Sequence, residues 1–203
     1  LAVLPDIEGI QVAGWGAHGA HHPRASSPTG LLDDLDARHG PHPALGQDFD
    51  PAWFVPSYID ALAGAGVDVV KFQTHVAEAE SSAHEPFRVN FSYEDATRYD
   101  YWERMGFAED QWRGIKEHCD DAGVEFMSSC FSQAAVDMME RVGMARYKVG
   151  SGEVTNFLLL EKIARTGKPV ILSSGMSSLE ELDAAVAFVQ GFGNDLTVLQ
   201  CTT

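Results

Sequence analysis

The feature that most constrains the fold is an alternation that begins near residue 55. An amphipathic stretch, a glycine and a short apolar run ending in polar residues follow one another repeatedly. "VPSYIDALAGAG" is spaced as a helix, and "VDVVKFQT" as a buried strand whose β-branched residues suit a pleated surface. After a long polar loop the pattern predicts helix "AEDQWRGIKEHCDDAG", strand "VEFMSS", helix "SQAAVDMMERVG" and strand "ARYKVGS". Helix "NFLLLEKIARTG", strand "KPVILSS", helix "SSLEELDAAVAFVQG" and strand "LTVLQCTT" complete it. In the last helix Ser178 and Glu181 have capping-box spacing, and Leu179, Leu182, Val186 and Val189 form one apolar stripe. Gly123, Gly143, Gly167 and Gly191 fall where helix C-caps belong.

Strands alternating with helices through short loops pair in parallel with right-handed crossovers, which leaves a doubly wound sheet or a (β/α)₈ barrel. Polar residues at the carboxyl ends of the strands favour the barrel: Lys71, Gln73 and Thr74; Ser128 and Ser129; Lys148 and Ser151; Ser173 and Ser174; Thr202 and Thr203. A barrel builds its site from many strand ends, whereas an open sheet gathers its ligand at one switch point. The predicted fold is α/β, a TIM (β/α)₈-type barrel incomplete in this chain. Strands 2 to 6 are clear within residues 53–203. Residues 1–52, rich in Gly, Pro, His and Ala without a sustained period, read as an atypical leader, divergent or poorly ordered.

A balance of 14 Lys+Arg against 30 Asp+Glu, net -16, argues against nucleic acid or an acidic membrane surface as partner. Any anion must therefore be held by a local pocket. The three cysteines, Cys119, Cys130 and Cys201, have no paired spacing and suit reduced thiols in the cytoplasm. No apolar run is long enough for a membrane span.

Lys148 and Lys71 stand at strand ends among apolar residues. A lysine inside a barrel is costly to desolvate unless an anion sits beside it, so the guest expected is a phosphate or a carboxylate. Glycines on both sides of Ser151 let backbone N–H groups reach the same anion. The plainer alternatives are that Lys148 reaches out to solvent or forms a structural bridge with Glu153. Ser177 and Ser178 read as helix caps, His75 and His118 as surface or loop residues, and Met127, Met138 and Met139 as core. His18, His21 and His22 lack acidic or thiol companions and read as solvated loop histidines, not metal ligands.

"VDVVKFQTH", "FMSSCFS", "RYKVGSGEVTN", "GKPVILSSGM" and "LQCTT", in this order and spacing, resemble the sialic acid synthase (N-acetylneuraminate synthase, NeuB-type) family over about residues 58–203. That resemblance implies barrel enzymes that condense phosphoenolpyruvate with an N-acetylmannosamine-like amino sugar to form a sialic (nonulosonic) acid, releasing phosphate by C–O cleavage. It places the two anion-gripping lysines on Lys71 and Lys148, a glutamine that reaches the acyl-amino sugar on Gln73, and substrate-binding hydroxyls on Ser129, Ser151, Ser173 and Thr203. It also makes Glu153 a catalytic candidate, either orienting a lysine or acting as acid or base. The expected cofactor is a divalent metal, Mn or Mg, with no ligand assignable within this chain, and the expected assembly of the full-length form is a homodimer.

The sequence departs from the family in two places. The family's opening AEIGxNH strand has only "VAGWGAHGA" as an echo, with Gly14 where glutamate is expected. Either an insertion follows a degraded first strand or the leader is a divergent or out-of-frame segment; the second is preferred. Beyond Thr203 the resemblance implies two metal-binding histidines, further strands and an antifreeze-like domain, so the 203 residues alone are expected not to catalyse the condensation. Two other classes remain: a Schiff-base lysine aldolase of the TIM-barrel class, and an inactive fragment acting only as a structural or interaction protein.

Overall fold

The computed structural model describes residues 12–14, 51–87, 92 and 95–201, and of 12–14 and 51–54 only the backbone. Strands β1 (Val12–Gly14), β2 (Val69–Thr74), β3 (Glu125–Cys130), β4 (Tyr147–Val149), β5 (Val170–Ser173) and β6 (Leu196–Leu199) form one sheet in sequential order. Every neighbouring pair is parallel. A doubly wound sheet reverses its strand order at a switch point, and this one does not; the fold is a partial TIM-type barrel.

The connecting helices are α1 (Pro51–Gly64), α2 (Ala77–Glu80), α3 (Arg98–Met105), α4 (Glu109–Asp121), α5 (Gln133–Val142), α6 (Phe157–Ala164) and α7 (Leu179–Gln190). The short helices α2 and α3 lie in what the sequence reads as one long polar loop. Helix α3 carries a capping box between Thr97 and Asp100, and it buries only Tyr101 and Trp102, too short a stripe to show as a period. Among the described residues no helix is long and apolar enough to cross a membrane.

Side chains alternate across the sheet, which therefore has two chemistries. On the helix side, Val70, Phe72, Phe126, Tyr147, Val149, Val170 and Leu172 join residues such as Trp112, Met139, Leu160 and Ile163 in the main core. On the other side a small cluster of Val69, Met127 and Ile171 fills the barrel interior. Met127 and Met139 are fully buried, and Met138 packs partly buried against the main core.

Local signals set the helix ends. The Ser178 hydroxyl accepts the Glu181 N–H at 3.2 Å, and the Glu181 carboxylate accepts the Ser178 N–H at 2.9 Å. Gly143 ends α5 at φ 89, a left-handed conformation that favours glycine. The expected stripe of α7 holds at Leu182, Val186 and Val189 and gains Ala185: Ala185 and Val189 are buried, Leu182 and Val186 pack against the core, and only Leu179 is exposed. The contact row runs 182, 185, 186, 189, which leaves Leu179 in the first turn outside it. Val12–Gly14 pairs in parallel with β2, Gly14 opposite Lys71. The remainder of the expected leader, including His18, His21 and His22, lies outside the described residues, apart from the start of α1.

Candidate functional site

Strand register assembles the site. Gln73 lies opposite Ser129, Ser129 opposite Lys148, and Lys148 opposite Ile171. Counting in twos along each strand puts Lys71, Gln73, Ser129, Lys148 and Ser173 on the interior face, above Val69, Met127 and Ile171. Thr74 and Ser128, grouped with them by sequence, instead point to the helix side. There their hydroxyls bond each other at 2.7 Å in the core, because each is one residue out of phase with its functional neighbour.

Lys148 is only 8% exposed. Its ammonium donates to the Ser173 hydroxyl and, at 3.0 Å, to the Val149 carbonyl. Burial, and then the nearby charge of Lys71, lower its pKa to about 8. Lys71 is lowered too, by burial. Neither lysine has a carboxylate partner among the described residues. Lys148 therefore neither reaches solvent nor bridges to Glu153, whose carboxylate accepts from the Asn156 amide at 2.8 Å.

Ser151 and Glu153 form a single 3₁₀ turn directly after β4. A Cβ on Gly175 would lie 3.7 Å from the Ser151 hydroxyl and 2.8 Å from the Cys201 Cβ, so only glycine fits where the loops after β4, β5 and β6 converge. Cys201, which the sequence marks only as a reduced thiol within "LQCTT", stands at this rim as well. Its thiol pKa is lowered by the Ser173 hydroxyl, by the Ser174 and Gly175 backbone N–H groups and by Lys148. The thiols of Cys119 and Cys130, by contrast, are pushed up by burial, Cys119 to about 12. A position that favours a thiolate favours any anion. Ser173 and Lys148, joined by a hydrogen bond, stand beside the Cys201 thiol.

The remaining expectations fall unevenly. Thr203 lies outside the described residues. His75 lies in the loop after β2, as expected, but not on the surface: its side chain is 11% exposed, Nδ1 lies 2.7 Å from Glu80, and the ring is stacked between two aromatic rings. His118 bridges α4 to Asp60 of α1 at 2.8 Å. Among the described residues no group of three His, Cys, Asp or Glu side chains is placed to hold a metal ion.

Comparison with known proteins places the chain in a family and a fold. The profile of the NeuB family matches residues 58–203. The chain is 31% identical over 151 residues to N,N'-diacetyllegionaminic acid synthase of Legionella pneumophila, covering 70% of this chain and 42% of that protein. It is 29% identical over 141 residues to human N-acetylneuraminate-9-phosphate synthase, covering 68% and 39%. It therefore spans about two fifths of the length of these curated relatives. Its fold is similar to that of the N-acetylneuraminic acid (sialic acid) synthetase of Leptospira borgpetersenii, with TM-score 0.64 at 21% identity over 96% of this chain and 53% of that one.

Proposed function

This chain belongs to the NeuB family, and from that premise we propose that the protein condenses phosphoenolpyruvate with an N-acetylmannosamine-like amino sugar to give a nonulosonic acid. The observation that carries the reading is a buried lysine, Lys148, and a half-buried one, Lys71, on one interior face, without carboxylate partners among the described residues and with the Ser173 hydroxyl beside Lys148. Such a pocket is stable only when a multiply charged anion supplies the missing negative charge.

In this reading Lys71 and Lys148 grip the phosphate and carboxylate, with Ser129, Ser151 and Ser173 as further donors. Carbon 3 of phosphoenolpyruvate attacks the sugar aldehyde, water adds at carbon 2, and phosphate leaves with the bridging oxygen. The lysines stabilise charge that is already present, so their contribution is chiefly orientation and electrostatic preorganisation. Gln73 meets the acyl-amino group, Thr203 adds a further hydroxyl to the substrates, and Glu153 serves the proton transfers at the sugar end. A divalent metal, Mn or Mg, would polarise the aldehyde when bound. The described residues do not fit such an ion, so the roles assigned to this chain rest on its own lysines, hydroxyls and carboxylate. Cytoplasmic location and homodimeric assembly belong to the same proposal.

Sugar-dependent phosphate release from phosphoenolpyruvate by the full-length protein tests this. Gln73→Ala is expected to raise the KM for the sugar about tenfold or more and to leave that for phosphoenolpyruvate nearly unchanged, the loss of one hydrogen bond to a bound polar group being roughly 1–2 kcal/mol. No phosphate release with any acylated amino sugar, or equal changes in both KM values, overturns the assignment. One observation favours a second reading: a lysine titrating near 8 also suits imine formation in a Schiff-base aldolase. Borohydride reduction in the presence of a keto acid separates the two, because only the aldolase leaves a covalent adduct on Lys148.

A further inference from the structure

Above the anion pocket lies a cluster to which the condensation assigns no role. His75 directly follows β2, and its ring lies between Trp102 of α3 and Phe131, which follows β3. The ring centroids are 3.6 Å and 4.3 Å apart, and the planes are within 14° and 10° of parallel. His75 Nδ1 meets Glu80 Oε2 at 2.7 Å; an ionised carboxylate only accepts, so Nδ1 carries the proton. The other carboxylate oxygen of Glu80 accepts the Val76 N–H at 2.7 Å and the Ser132 hydroxyl at 3.3 Å. Glu80 is itself 7% exposed. Phe131 in turn lies against Gly150, where an added Cβ would stand 3.8 Å from its ring edge.

These contacts form one chain across three strand ends: Trp102, His75, Glu80, Ser132, Phe131, Gly150. The loops after β2, β3 and β4 are thereby fixed to one another just beyond Gln73 and Ser129 and just before Ser151. A hydrophobic core alone needs no imidazole hydrogen-bonded to a carboxylate there; a leucine or a phenylalanine fills the same space without burying a carboxylate. His75 Nε2 is buried and meets no partner among the described residues, so the ring's polar anchorage runs through Glu80 alone.

We propose that His75, oriented by Glu80 and clamped between Trp102 and Phe131, is a positioning residue for the amino-sugar half of the site. It holds the upper end of β2, and with it Gln73, at a fixed distance from the β3 and β4 loops. The proposal rests on the condensation reading. Lys71, Lys148 and Ser173 belong to β2, β4 and β5 and are not among the clamped residues, so the phosphoenolpyruvate half depends on the clamp less than the sugar half does, through Ser129 and Ser151 only.

Two substitutions in the full-length protein test this. His75→Phe keeps the aromatic sandwich and removes the hydrogen bond to Glu80, so the protein still folds. His75→Asn keeps a donor at the place of Nδ1. The expected result for His75→Phe is a KM for the sugar raised at least tenfold with a lower kcat, and phosphoenolpyruvate binding by calorimetry within about threefold of the parent. His75→Asn is expected to recover at least half of the lost kcat/KM for the sugar. Parent-like sugar kinetics in His75→Phe, or equal weakening of both substrates, overturns the positioning role while leaving the condensation standing. A parent protein that binds phosphoenolpyruvate but never releases phosphate with a sugar overturns both.

Discussion

The two faces of the same sheet make the most instructive comparison in this molecule. Ser128 and Ser129 are consecutive residues of β3 and both are buried, yet one shares a hydrogen bond with Thr74 among core residues while the other stands in register with Gln73 and Lys148. On the helix face the hydroxyls find protein partners: Thr74 and Ser128 bond each other, the Tyr147 hydroxyl donates to Glu140 at 2.8 Å, and the Ser128 N–H approaches the Met144 sulfur at 3.0 Å. On the interior face two lysines are left without counter-charge among the described residues. One face is built to be stable by itself, and the other to become stable when occupied.

The largest separation of the two faces is expected from a helix-face truncation. Leu172 is fully buried in the main core, and Leu172→Ala should cost about 2–5 kcal/mol in denaturant unfolding, whereas its strand neighbour Ser173→Ala should cost far less stability and weaken anion binding instead. Similar unfolding midpoints for the two variants would erase the distinction.

Lys148→Met should move stability and function in opposite directions. Loss of a charge-assisted contact is expected to weaken phosphoenolpyruvate binding by roughly 1.5–3 kcal/mol, measured by calorimetry. Removal of a buried unpaired ammonium is expected to raise unfolding stability at pH 7 by on the order of 1–3 kcal/mol. A variant that is both weaker in binding and less stable would show that the lysine is already satisfied inside the protein.

The pH dependence sharpens the same point. The folded pKa of Lys148 lies near 8, below its ordinary 10.5, so the unfolded chain binds the extra proton between those values. The cost of the buried charge is therefore fully present below about pH 8 and is relieved as pH rises toward 10.5, so this residue's contribution makes stability increase across that window. Anion binding runs the other way, because only the protonated lysine attracts phosphate. Affinity for phosphoenolpyruvate should fall above about pH 8, and binding there should take up a proton, visible as a dependence of calorimetric heat on the buffer's ionisation enthalpy. Heat independent of the buffer at pH 8.5 would contradict this.

The smallest effects come from the neighbouring serines. Ser128→Ala leaves the Thr74 hydroxyl without its partner and should cost about 1–2 kcal/mol of stability with unchanged anion affinity. Ser129→Ala should change stability by less than about 0.5 kcal/mol and lower anion affinity several-fold. An exchange of these two phenotypes would mean that β3 pairs one residue out of register.

The sequence by itself determined the order of strands and helices from β2 to β6, because period, capping residues and terminal glycines are local signals read within one or two turns of chain. It also determined that Lys71, Gln73, Ser129, Lys148, Ser151 and Ser173 belong at carboxyl ends of strands, since position within a run is equally local. What only the tertiary structure decided is which residues at those ends look inward. That is a question of parity: one residue of register sends Thr74 and Ser128 to the helices and keeps Gln73 and Ser129 in the barrel. Likewise the lowered pKa of Lys148 comes first from burial in the assembled sheet and then from Lys71, 77 positions away by subtraction of their numbers, and that of Cys201 from a hydroxyl and N–H groups at the preceding strand end. The clamp on His75 draws its two rings from α3 and from the loop after β3. Interactions of this kind follow distance in space, and a buried charge or a stacked ring has no signature in composition or period until the sheet has brought its partners together.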